Sequence, residues 1–142
     1  MHVLTVTIPG APVGKGRPRV FRNHGITRAV TPAKTANWET FARWHLTQAH
    51  QGETLTGPVR VEVVAVNARP KRLRRVKDPD GLLWRTTKPD ADNVGKAVCD
   101  ALEKSGIIRN DSQVCQLLIE SRFSERDGGP RVEVTVSRVV GP

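Results

Sequence analysis

The sequence predicts an α+β domain, a single mixed β-sheet with two main helices packed on it. Three observations carry that prediction. Apolar residues alternate with the period of a strand at Leu4, Val6 and Ile8, at Val61, Val63 and Ala65, and at Val132, Val134 and Val136. Val94, Ala97, Val98, Ala101 and Leu102 recur instead at i, i+3, i+4, i+7 and i+8, the buried stripe of a helix. Strands and helices do not alternate strictly along the chain, which argues for α+β over a regular α/β winding.

Pro9 and Gly10 end the first strand. Gly14-Lys15-Gly16-Arg17-Pro18-Arg19 follows, too rich in Gly and Pro for a helix, and reads as an extended arm. It lacks the G-x-x-x-x-G-K-[ST] spacing of a P-loop, so no nucleotide cofactor is expected. Val20 to Val30 predicts a short hairpin turning at Asn23-His24-Gly25. Thr31-Pro32 reads as N-cap and first residue of a helix running to about His50, with Phe41 and Trp44 directed into the core and Trp38 nearby. The other reading of these aromatics is a platform for unpaired bases.

Val59 to Ala68 is apolar on both faces through Val64 and Val66, which predicts a central strand. Arg69 to Thr87 shows no periodicity and carries Lys71, Arg72, Arg74, Arg75 and Lys77, so it is expected to be a mobile basic loop anchored by Leu82, Leu83 and Trp84. Val114 to Phe123 places Cys115, Leu117, Ile119 and Phe123 on one face. The Asp127-Gly128-Gly129-Pro130 turn then predicts an antiparallel hairpin with the last strand.

A chain of 142 residues is expected to be one domain that needs no disulfide or metal staple. Its 23 Lys+Arg against 14 Asp+Glu give a net charge of +9, suited to a polyanionic partner. Two cysteines at no ligand spacing, with no signal peptide, point to a reducing compartment. No apolar run approaches the ~20 residues of a membrane span.

Against that basic background, Asp90, Asp92, Asp100 and Asp111 fall in or beside the helix that starts after Pro89 and stops at Gly106. Asp92, Lys96, Asp100 and Glu103 share its polar side. A calcium loop is excluded, because the fifth and twelfth positions counted from Asp90 are Val94 and Ala101. Two readings remain. The acids cap and brace a solvated helix, or they hold Mg²⁺, a hard cation that takes a few carboxylates and bridges to phosphates.

The string KPDADNVGKAVCDAL, followed by NDSQV, resembles the signature of the RusA family of Holliday-junction resolvases, and PVGKGRPRV is similar to a basic segment of that family. The resemblance implies a RusA-like fold and metal-dependent hydrolysis of phosphodiesters at four-way DNA junctions. Carried over by position, it makes Asp90, Asp92 and Asp111 the metal ligands and Lys96 the catalytic lysine; Asn93 is expected to support them, and Asp100 either supports Lys96 or is simply an acid of the helix surface. Where members commonly carry two acids before S-Q-V, this chain has Asn110 and then Asp111. The implied cofactor is Mg²⁺, with Mn²⁺ as a substitute. The implied partners are branched DNA and a second copy of the chain, with no membrane.

Lys15, Arg17, Arg19 and the cations from Lys71 to Lys77 are the expected phosphate contacts. A cytoplasmic, nucleoid-associated location follows, and the sequence leaves open whether a host or a prophage encodes the chain. The rival from another class is a structure-selective DNA-binding protein without catalysis. A nucleotide-sugar D-x-D enzyme is disfavoured by small size and basic charge. An intrachain site is expected, in which Gly106 reverses the backbone in a left-handed conformation and Ile107 and Ile108 pack back toward Val98 and Leu102, returning Asp111 to the D-x-D pair; a looser reversal would leave Asp111 to complete a site only with the helix of a second copy.

Overall fold

The computed structural model describes residues 2–16, 19–30, 33–87 and 90–142, with only the backbone of 19, 21, 23 and 28–30. The element order is β1 (His2–Pro9), β2 (Arg19–Asn23), β3 (Ile26–Val30), α1 (Ala33–Ala49), β4 (Val59–Asn67), β5 (Leu83–Trp84), α2 (Ala91–Lys104), β6 (Val114–Phe123) and β7 (Arg131–Arg138). Five strands form one mixed sheet in the order β1-β7-β4-β6-β5, and β2 and β3 form a separate hairpin. The α+β expectation holds. No helix among the described residues is long and apolar enough to cross a membrane.

The period-2 stretches became strands whose alternate side chains are buried: Leu4, Val6 and Ile8 in β1, Val59, Val61, Val63 and Ala65 in β4, and Val132, Val134 and Val136 in β7. They share one core with the inner faces of α1 and α2. Each buried Val or Leu contributes about 1.5–3 kcal/mol by leaving water. The first hairpin turns through His24 (φ 51°) and Gly25 (φ 77°), two positive-φ residues that match the twist of the strands they join.

The expected β6–β7 hairpin is not formed. β4 lies between the two strands, pairing parallel with β6 and antiparallel with β7. The chain leaving β6 crosses the end of β4, where the Ser124 amide donates to the Asn67 carbonyl (2.8 Å). A D-G-G-P turn reverses the chain equally well over one strand or over two, so local turn chemistry did not decide the pairing. β4 is central, but its second face is only half apolar. Arg60 pairs with Glu62 there (2.7 Å).

On α1 the buried stripe is Thr35, Trp38, Glu39, Ala42 and Leu46. Phe41 and Trp44, expected inward, are 44% and 60% exposed, with His45 edge-on to both rings. The helix is rotated so that Glu39 is buried and ion-paired to Lys104 of α2 (2.7 Å), a cross-helix contact that sequence periodicity does not reveal. The Thr31-Pro32 start lies outside the described residues.

Residues 69–87, expected to lack regular structure, contain a 3₁₀ turn at Lys71–Leu73 and the short strand β5. They are wound around Arg69, which is 1% exposed. Its guanidinium donates to the carbonyls of Ser124 (2.9 Å), Leu73 (3.1 Å), Pro79 (2.8 Å) and Gly81 (2.6 Å). Arg126 closes the loop from the other side, through the carbonyls of Val76 (3.0 Å) and Asp78. The expected hydrophobic anchor is only partial, since Trp84 is exposed beneath the Arg122 guanidinium.

Arg69→Leu should therefore cost about 3 kcal/mol, because it leaves several inward carbonyls without donors. Urea denaturation measures the cost, and trypsin should cut faster within Lys71–Lys77. An unchanged midpoint together with an unchanged digestion rate would show that the loop does not depend on this cation.

Candidate active site

Helix α2 carries the site because its two sides are chemically opposite. Val94, Ala97, Val98, Ala101 and Leu102 are buried, and Gly95 lies in the same face. A Cβ at Gly95 would sit 2.2 Å from Ile119 Cδ1, so glycine lets the helix lie directly on β6. Asp90 occupies the N-cap position with an extended backbone, and its side chain makes no capping bond to the helix. Asp92 and Lys96 point outward and are exposed.

At the other end, Gly106 adopts φ 80°, as expected. The amides of Gly106 and Ile107 return to the carbonyls of Glu103 (3.0 Å) and Leu102 (3.2 Å), and Ile107 and Ile108 are buried in the core shared with Val98 and Leu102. The reversed chain then makes a 3₁₀ turn, Asp111–Gln113. Asn110 caps it, its Oδ1 accepting from the Ser112 amide (2.8 Å). Gln113 ties the turn down: its Oε1 accepts from the amides of Arg109 (2.7 Å) and Asn110 (2.9 Å), and its Nε2 donates to the carbonyls of Leu55 and Gly57 (both 2.9 Å).

This turn delivers Asp111 to Asp100 and Glu103, and one carboxylate oxygen of each lies within 4.8 Å of the others. Asp100 and Asp111 border a cavity of about 480 Å³ whose other lining residues are Lys15, Lys96, Cys99, Val114 and Leu117. Three carboxylates at that spacing are a donor set suited to a hard divalent cation. The Lys15 ammonium is already ion-paired to Asp100. Its hydrogen bond to Asp100, reinforced by the charges of Asp100, Glu39 and Asp111, holds the Lys15 pKa above the ordinary lysine value. Burial, with the Asp111 and Asp100 charges adding to it, raises the Cys99 thiol to about 11.

The sequence-predicted residues thus separate into groups. Asp111 and Asp100 meet, joined by Glu103, which the sequence reading had only as a helix-face acid. Asp92 precedes Asp100 by two helical turns, about 12 Å, so the acids that Asp111 meets lie toward the other end of the helix from the D-x-D pair. Asn93 meets the basic arm through its carbonyl, which accepts from the Lys15 amide (3.1 Å). Lys15, expected on a phosphate-gripping surface, points into the acidic cavity. Arg17 and the side chain of Arg19 lie outside the described residues. Lys71, Arg72, Arg74, Arg75 and Lys77 are exposed, with Arg75 paired to Asp78 (3.4 Å). Gln113 was missed as a tether, although its position three residues after Asn110 is the spacing of a capping box.

Residues 9–137 match the family model described as Endodeoxyribonuclease RusA. The chain belongs to the RusA endodeoxyribonuclease family. A Bacillus subtilis (strain 168) protein, YqaN, described as uncharacterized, is 37% identical over 98% of this chain and 99% of its own length. The Crossover junction endodeoxyribonuclease RusA of Aquifex aeolicus (strain VF5) is 26% identical, over 94% of this chain and 92% of its own. The RusA match spans β1's last residue through most of β7, so the acidic cavity lies wholly inside it.

Two measurements test the geometry. At pH 8 a thiol reagent should titrate Cys115 rapidly and Cys99 only after unfolding, since Cys99 is both buried and protonated there. Equal native reactivity would mean that the cavity wall is open. Gln113→Ala should lower stability by about 1–3 kcal/mol by freeing the Asp111 turn, read as a shift in the urea midpoint, and an unchanged midpoint would remove Gln113 from that role.

Proposed function

We propose that the protein is a Mg²⁺-dependent, structure-selective endodeoxyribonuclease that resolves four-way DNA junctions by paired symmetric nicks as a two-fold homodimer. The observation that supports this most is the group of Asp100, Glu103 and Asp111 at a cavity that Lys15 and Lys96 also line, in a chain of net charge +9. A basic protein that gathers carboxylates beside lysines can hold a cation and a phosphate together. The name of the Aquifex relative supplies the junction as substrate.

Asp90, Asp92 and Asp111 are the proposed metal ligands, with Asp100 and Glu103 beside Asp111. When bound, the ion supplies a water of lowered pKa and stabilises charge on the phosphate. Lys96 neutralises the scissile phosphate or orients the attacking water. The exposed loop cations hold the flanking backbone.

Because two helical turns separate Asp92 from Asp100, the acid that Asp111 meets, the ligand set is proposed to be completed by a second copy. β6 offers that copy a contact: β5 covers it only at Arg122 and Phe123, and Leu117 and Leu118 are 45% and 47% exposed.

A four-way junction incubated with and without Mg²⁺ is the primary test. Paired nicks only with metal are expected, and binding without nicks under all metals would leave a junction-binding protein. Asp90→Asn, Asp92→Asn and Asp111→Asn should each reduce nicking at least about 100-fold while retaining junction binding. Near-normal nicking by any one removes that residue from the site. Lys96→Ala should lose turnover without recovering in excess Mn²⁺. Mixing Asp92→Asn with Asp111→Asn subunits should restore nicking at the one site that keeps both acids. A dead mixture would place all ligands in one subunit.

A further inference from the structure

Lys15 occupies a place that a phosphate-gripping residue does not need. The arm leaving β1 is held by its backbone on α1, α2 and the turn before β7. The Gly10 amide donates to the Pro130 carbonyl (3.0 Å), the Gly16 amide to the buried Thr35 hydroxyl (3.1 Å), and the Lys15 amide to the Asn93 carbonyl (3.1 Å). The Thr35 hydroxyl in turn donates to the Gly14 carbonyl (3.4 Å). Residues 14–16 are therefore clamped between α1 and the first turn of α2. From that clamp the Lys15 side chain runs along α2 to Asp100.

The Lys15 and Asp100 side chains are 37% and 17% exposed, so the ammonium has replaced much of the water that this carboxylate would otherwise hold. The same cavity contains Asp111, and Glu103 closes the carboxylate group. An ammonium held directly on one of these carboxylates and a divalent cation among the same oxygens repel, so the two compete for Asp100. A lysine suits an exchange, because its point charge sits on a flexible four-carbon stem. Its main chain is fixed, so the displaced ammonium stays at the mouth of the cavity.

We propose that Lys15 is a positioning residue that stands in for the divalent cation at Asp100 and is exchanged for it, so that metal loading releases its ammonium to a DNA phosphate. This rests on the metal-nuclease reading above and adds an order of events to it. Without metal, Lys15 holds the carboxylates together and is unavailable to DNA. With metal bound, the arm contributes one more phosphate contact next to the reacting bond.

Mn²⁺ binding by the DNA-free protein, followed by electron paramagnetic resonance, tests the exchange. Lys15→Gln should bind Mn²⁺ about tenfold more tightly, equivalent to about 1.4 kcal/mol of removed competition. Lys15→Arg, which keeps the charge and the clamp, should stay near wild type, separating charge from folding. The salt dependence of junction binding gives a second readout in Ca²⁺, taken here as a divalent ion that does not support cleavage. Wild type should exceed Lys15→Gln by about one unit of slope with Ca²⁺ and match it without.

Mn²⁺ affinity that is unchanged or weaker in Lys15→Gln overturns the exchange, as does a slope difference equal with and without Ca²⁺. If wild type nicks junctions in Mg²⁺ while Lys15→Gln shows wild-type Mn²⁺ affinity, the exchange alone fails. If Lys15→Gln binds Mn²⁺ more tightly but wild type nicks no DNA, the exchange stands and the nuclease reading fails.

Discussion

The close seating of α2 on β6 is the constraint from which the rest of the site follows. With Gly95 against the Ile119 side chain, the helix lies close on the strand, its apolar stripe facing the sheet and its acids facing outward. A larger residue there would have to displace the end of the Ile119 side chain. This seating is also what makes the reversal at Gly106 useful. The chain must come back under the helix to start β6, and the cap brings Asp111 up beside the last outward-facing acids. Gln113 and Asn110 then hold a turn that lies between two elements already fixed in place.

Grouping three carboxylates is unfavourable unless positive charge answers them. The fold supplies that charge locally: Lys104 to Glu39 beneath the cluster, Lys15 to Asp100 within it, and Lys96 at the cavity wall. The arm bearing Lys15 is held by backbone hydrogen bonds to both helices, so its charge is positioned by main chain and not by a chance surface encounter. This distinguishes it from the loop cations, which are exposed and of which Arg74 and Arg75 bond only within the loop, to the Arg69 carbonyl and to Asp78.

Much of this was legible in the sequence, and the limits have identifiable causes. The α2 stripe, the acids on its polar side, the Gly106 reversal and the His24-Gly25 turn are local: each depends on residues within a few positions of one another, where periodicity and φ preferences decide. The β6–β7 expectation failed because strand pairing is non-local, and the same turn residues serve a hairpin or a crossing of β4. Phe41 and Trp44 were placed inward because large aromatics are good core residues. The rotation of α1 was decided by Glu39 and Lys104, which sit 65 residues apart. Glu103 joined the carboxylate group and Lys15 entered the cavity for the same reason, through contacts between segments distant in sequence.

Arg69 shows how one inward cation organises the outward ones. A long loop dense in arginine and lysine repels itself when extended, and its carbonyls need donors wherever they turn from water. Arg69 answers both demands by collecting several carbonyls around one guanidinium, which folds the segment back and leaves the remaining cations on the outside. The loop is then joined to the sheet through β5, which pairs with the far end of β6. The acidic cavity lies at the near end of that strand, with Leu117 in its wall. From Leu117 to Arg122 the strand advances about 17 Å at ~3.3 Å per residue. That is about five phosphate steps of a nucleic-acid strand at ~3.4 Å each. On the proposed reading, β6 therefore sets the spacing between the phosphate being cut and those being held, because one strand carries the cavity wall at one end and the basic loop at the other.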